Sequence, residues 1–119
     1  MIENLRDGEE FFIWVLRSFD FLRIQGGYHG CDFMDTRDGK SISLYSHLKN
    51  KKVTIIEEFL TPESYKGLEL WVETTGIVGF FKTRKTLKNY FGPHLRVESI
   101  RRLAKMVQEH EGLMKELTG

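Results

Sequence analysis

Residues 68–73 read Leu68-Glu69-Leu70-Trp71-Val72-Glu73. On an extended chain Leu68, Leu70 and Val72 point one way, and Glu69, Trp71 and Glu73 point the other. That period of two marks a strand with one face buried. A one-sided strand needs a layer of helices over its apolar face, which the flanking sequence must supply.

Upstream, residues 28–75 carry three more strand-like runs. The first is Tyr28 to Asp35. Asp38-Gly39 follows as a hairpin signal, since both residues tolerate positive φ. Ser41 to Leu48 alternates, with Ile42, Leu44 and Leu48 on one side and Ser41, Ser43, Tyr45 and His47 on the other. The polar turn Lys49-Asn50-Lys51-Lys52 leads into Val53 to Leu60. Thr61-Pro62-Glu63-Ser64 interrupts that run, because proline cannot donate to a ladder. Short connections favour an antiparallel meander.

Helical spacing frames the strands. Asp7 with Glu10 three residues later has the form of a capping box. It predicts a helix from Gly8 to Phe21 or slightly beyond, burying Phe12, Val15, Leu16, Phe19 and Leu22, with Phe11 and Trp14 widening the face. Gly26-Gly27 ends it. Beyond Gly76 and Gly79, Phe80 to Phe91 reads as a short helix stopped by Gly92-Pro93. From Leu95 to Leu117, Ile100, Leu103, Val107, His110, Met114 and Leu117 recur in steps of three and four, a heptad seam with His110 its one polar member. The expectation is one α+β domain over 1–119: an N-terminal helix, a four-stranded antiparallel meander, then a short helix and a long C-terminal helix packed on the sheet. At about 35 Å that last helix overruns so small a sheet, which suggests a homodimer through its final turns.

The composition fits this picture and removes several classes of function. The chain has 119 residues, 40% hydrophobic and 29% charged, and nine Phe supply core bulk. One cysteine, Cys31, excludes an internal disulfide and fits a reducing compartment. The longest apolar run, Phe11 to Leu16, falls far short of the roughly 20 residues of a membrane span. The N-terminus lacks the basic start of a signal peptide, so a cytoplasmic location is expected. No cofactor is implied.

The motifs for catalysis and metal binding that the chain approaches are each incomplete. Gly39-Lys40-Ser41 resembles the end of a phosphate-binding loop, but Met34 stands where the first glycine belongs. An EF-hand loop built on Asp32, Asp35 and Asp38 would also begin at Met34. Glu57 and Glu58 point opposite ways on a strand. Glu69 and Glu73 share a face but stand about 13 Å apart. His29 and Cys31 share a strand face, and with Asp38-Gly39 at the tip His47 comes within one residue of facing His29. That trio permits a thiol- or metal-dependent enzyme. A half-buried cysteine beside two surface histidines explains it as well.

Two features point to binding instead. The net charge of +1 hides an uneven distribution. Residues 1–76 hold nine basic and thirteen acidic residues; residues 77–119 hold nine and four. Lys82, Arg84, Lys85, Lys88, Arg96, Arg101, Arg102 and Lys105 face only Glu98 within 24 residues. Such a block attracts an anionic macromolecule, nucleic acid more than acidic protein, with Tyr90, Phe91 and His94 available to stack. The second feature is Trp71 between Glu69 and Glu73, with Tyr45 on the same polar side. An aromatic patch rimmed by acids suits a small inhibitor or immunity-type protein that blocks a larger one. The leading expectation is a non-enzymatic binding or regulatory protein using the basic segment 82–105; the inhibitor is the alternative, and the enzyme the third reading.

Overall fold

The alternation around Trp71 belongs to the longest strand of a five-stranded antiparallel sheet. The computed structural model describes residues 8–46, 50–61, 64–75 and 82–119, with side chains for 10–46, 50–58, 67–74 and 83–119. In chain order come α1 (Gly8–Ser18), α2 (Asp20–Gly26), β1 (Gly30–Thr36), β2 (Gly39–Ser46), β3 (Lys51–Thr61), β4 (Ser64–Thr75), β5 (Lys82–Thr86), α3 (Leu87–Phe91), α4 (Ile100–Glu109) and α5 (Glu111–Thr118). Sheet order equals chain order, β1 to β5, and every pairing is antiparallel. The α+β meander with helices at both ends follows the sequence pattern. Among the described residues no helix is long and apolar enough to cross a membrane.

Period two divides the sheet into two faces. Ile42 and Leu44 of β2, Val53 and Ile55 of β3, and Leu68, Leu70 and Val72 of β4 are buried on one of them. They meet Phe11, Val15 and Phe19 from the N-terminal segment, Ile100, Leu103 and Val107 from α4, and Leu113 and Leu117 from α5 in one hydrophobic core. α1 lies over β1 and β2, and α4 lies over β4. Among the described residues, no helix covers the opposite face.

The structure departs from the expected elements in four places, each for a local reason. Lys82 to Thr86 is a fifth strand rather than the first half of a helix. Thr83 and Thr86 favour extended backbone, and Arg84 gains Glu73 as its cross-strand partner. The helix begins only at Leu87, where the Thr86 N–H donates to Asn89 Oδ1 at 2.7 Å. The N-terminal helix breaks at Phe19 (φ −108°, ψ 30°). In one continuous helix Phe19 and Phe21 would lie on nearly opposite sides. The break buries both, with ring centroids 5.6 Å apart, and leaves Leu16 40% exposed.

The long C-terminal helix also breaks, at His110, whose backbone is extended (φ −88°, ψ 103°). Its Nδ1 accepts the Leu113 N–H at 2.9 Å and caps α5. The seam is thereby re-phased, so that Leu113 is buried and Met114 only partly so. Helices of 10 and 8 residues are about 15 and 12 Å long, so the overrun that suggested a helix-mediated dimer disappears. Finally, the hairpin turn is Arg37-Asp38, pairing Thr36 with Gly39. Gly39 does not use positive φ. A Cβ there would lie 2.2 Å from the Glu57 carbonyl oxygen, so the close approach of β3 is what requires glycine. Gly27 does end α2 as expected, with φ 67°. The Asp7 cap, the Lys49 turn, Pro62, and Gly76 to Phe81 lie outside the described residues.

Candidate functional site

The helix-free face of the sheet is ordered in rows. Asp32, Ser43, Thr54, Trp71 and Thr86 face one another in turn across all five strands. A second row runs Gly30, Tyr45, Lys52, Glu73 and Arg84. Trp71 is fixed from both sides. Its Nε1–H donates to Glu69 Oε2 at 3.0 Å. The Arg84 guanidinium lies 4.5 Å from the indole centroid and pairs with Glu73 at 3.1 Å. Tyr45 donates its hydroxyl to Asp32 at 2.8 Å. That hydrogen bond, before burial and the Asp32 charge, holds the Tyr45 phenol above its ordinary range. Ser43 and Thr54 share a 3.0 Å hydroxyl contact. The result is a half-buried aromatic centre in a polar frame that is already organised.

At the Gly67 end this face opens into a cleft of about 490 Å³ bordered by Glu58, Glu69, Lys88, His94 and Arg96. β5 stops at Thr86, so the adjacent edge of β4 is met by the loop before α4, where Leu68 N–H donates to the Val97 carbonyl at 3.1 Å. Gly67 is at φ 131°, a conformation strained for any other residue.

The basic segment does not form one surface. Arg84, Lys88 and Arg96 border the open face and its cleft. Arg101, Arg102 and Lys105 are exposed on α4, in the helix layer on the other side of the sheet. Lys85 turns towards that layer and reaches Glu116 at 3.7 Å, where Tyr90 also donates to Glu116. Burial first, then this hydrogen bond, raises the Tyr90 phenol. Much of the charge is answered within the molecule: Lys88 by Glu69 at 3.7 Å and Lys105 by Glu109 at 3.9 Å. Arg101 stacks 4.4 Å from Trp14. The side chain of Lys82 lies outside the described ones.

Of the His29, Cys31 and His47 cluster, the described residues include His29 and Cys31. Partners across the first hairpin follow Gly30 to Tyr45 and Cys31 to Leu44, two residues off the expected register, because the turn is Arg37-Asp38. Continued by one residue, this register sets His29 opposite Ser46, and its backbone N–H reaches the Tyr45 carbonyl. His47 itself lies outside the described residues. The His29 Nδ1 is 2.8 Å from the Gly27 carbonyl oxygen, which places the proton on Nδ1. Cys31 is exposed at the sheet edge. Asp32 and Asp35 point to opposite faces, and Asp38 sits in the turn. Among the described residues, no three His, Cys, Asp or Glu side chains gather into a metal-sized group.

One titratable residue was hidden in the β3 pattern. Val53, Ile55 and Glu57 alternate onto the core face, and Glu57 is fully buried. Neither of its carboxyl oxygens has a hydrogen-bond partner. Burial pushes its pKa up to about 7, opposed by the Lys40 charge on the neighbouring strand. The period-two spacing after Ile55 was the signal that would have found it. Comparison of the chain with protein-family models, with curated proteins and with solved structures returns no match.

Proposed function

We propose that the protein is a non-enzymatic binding protein that docks a larger protein on the helix-free face of its sheet, centred on Trp71. The observation that carries this reading is an indole held between Glu69 and Arg84 on β4 of a five-strand face with no described helix over it. A rigid aromatic anchor in a polar rim is the usual centre of a protein interface. Tyr45, Glu69 and Glu73 supply that rim. A nucleic-acid strand laid on the same face would meet Asp32, Glu58, Glu69 and Glu73 as well as Lys52, Arg84, Lys88 and Arg96, a balance without the net positive charge that favours phosphate backbones. An inhibitor- or immunity-type role, in which this face blocks the surface of another protein, fits best.

A second reading rests on α4. Arg101, Arg102 and Lys105 stand on one exposed side of that helix, at helical spacing. An anionic macromolecule bound there would dissociate steeply with salt. Pull-down from native lysate, with and without nuclease, separates the two. We expect a nuclease-resistant protein that is retained by Arg101→Glu/Arg102→Glu and lost by Trp71→Ala, with an unchanged circular dichroism spectrum. A ligand removed by nuclease and by the double reversal, but kept by Trp71→Ala, overturns the sheet-face reading.

A further inference from the structure

We propose that the chain pairs with a second copy of itself along the free edge of β1, extending the sheet across a twofold axis at Phe33. Among the described residues β1 pairs only with β2. The two-residue turn makes Thr36 and Gly39 a hydrogen-bonded pair, and alternation then assigns the backbone groups of Met34, Asp32 and Gly30 to β2. The N–H and C=O groups of Cys31, Phe33 and Asp35 are left pointing outwards. This set is symmetric about Phe33, so an antiparallel copy in the register Phe33 to Phe33 pairs all of them. Cys31 then meets the partner's Asp35, and Asp32 meets the partner's Met34. No carboxylate faces a carboxylate. A two-residue slip one way sets Asp32 on Asp32; the other way it carries Cys31 past the end of the strand.

The side chains along this flank suit a copy of the same chain. Leu16 and Ile13, one helical turn apart on α1, are each 40% exposed, Phe33 is 39% exposed, and Met34 is 62% exposed. α1 lies over β1 and β2. Half a strand spacing from α1 to β1, one spacing across the axis and half a spacing back set the two α1 axes about 10 Å apart. That is the distance at which helices pack, so the exposed Leu16 and Ile13 would face their counterparts. Charge is complementary too. Asp35 lies on the helix side of β1 and would stand beside the partner's Cys31, in the recess that Arg23 and His29 border. This pairing leaves the Trp71 face uncovered and does not depend on what binds there. It also differs from a contact through the C-terminal helices.

Sedimentation velocity of the full chain over a concentration series tests the proposal, with Met34→Asp and Met34→Lys as paired variants. Met34 is exposed enough for either to fold. The proposed register sets residue 34 against Asp32 of the partner, twice per dimer. Met34→Asp should weaken the dimer and Met34→Lys should tighten it, with dissociation constants roughly tenfold or more apart. In a mixture of isotope-labelled and unlabelled wild-type chains, an intermolecular NOE between the Asp32 and Met34 Hα protons should appear. A wild-type monomer throughout the series overturns the proposal. So do equal constants for the two variants, or intermolecular NOEs confined to α4 and α5.

Discussion

Glu57→Gln should make the protein more stable at neutral pH, and the gain should vanish in acid. Glu57 sits in a row across the helix side of the sheet, between Lys40 of β2 and Leu68 of β4, with Asp35 beyond Lys40. The carboxyl group is fully buried and neither oxygen is hydrogen-bonded. Its folded-state pKa of about 7 lies above the ordinary 4.5 because burial penalises the charged form more than Lys40 favours it. The folded protein therefore keeps a proton that the unfolded chain has lost. Stability from this group is intact below pH 4.5 and falls as pH rises through 7. At about 1.4 kcal/mol per pH unit, the whole loss is about 3 kcal/mol. Urea unfolding of wild type and Glu57→Gln from pH 4.5 to 8.5 reads it directly. The variant's advantage over wild type should grow by about 3 kcal/mol across that range. Any fixed cost of leaving Lys40 beside a neutral amide shifts both ends equally. A difference that stays flat, or grows towards acid, refutes the reasoning.

Other substitutions probe the two faces and the two unexpected breaks. Leu70→Ala, in the core, should cost about 2–5 kcal/mol in urea unfolding. Its neighbour Trp71→Ala should cost less than about 2 kcal/mol, because the indole lies on the uncovered face. His110→Ala should destabilise by about 1 kcal/mol through loss of the α5 cap, and His110→Asn should recover most of it because its side-chain oxygen can accept the Leu113 N–H. Gly39→Ala should lower the melting temperature by several degrees, since its Cβ would collide with the Glu57 carbonyl and the strands must part by about 1 Å.

The strands were legible wherever one face was buried. The alternation at Ile42 and Leu44, and at Leu68, Leu70 and Val72, gave the core face directly, because side chains on a strand must alternate. β5 was hidden because its residues are charged or polar on both faces; pairing with β4, not burial of its own side chains, makes it a strand. The helix breaks at Phe19 and His110 were hidden for a related reason. Each preserves a plausible helical pattern locally, and only packing against the sheet selects the interruption. The site was partly legible. Trp71, Glu69, Glu73 and Tyr45 do share the open face. The eight cations were close in sequence, yet strand pairing sends Arg84 to one side of the sheet and α4 carries Arg101, Arg102 and Lys105 to the other.

A protein partner is expected on the face around Trp71. A photo-reactive benzophenone side chain placed at Thr54, which faces Trp71 across β3 and β4, measures this most directly, with the same group at Arg102 as the comparison. After irradiation in native lysate, the Thr54 position should give a discrete covalent adduct with a protein of another sequence, resistant to nuclease, and the Arg102 position should give none. An adduct formed only from Arg102, or one that nuclease shortens, contradicts it.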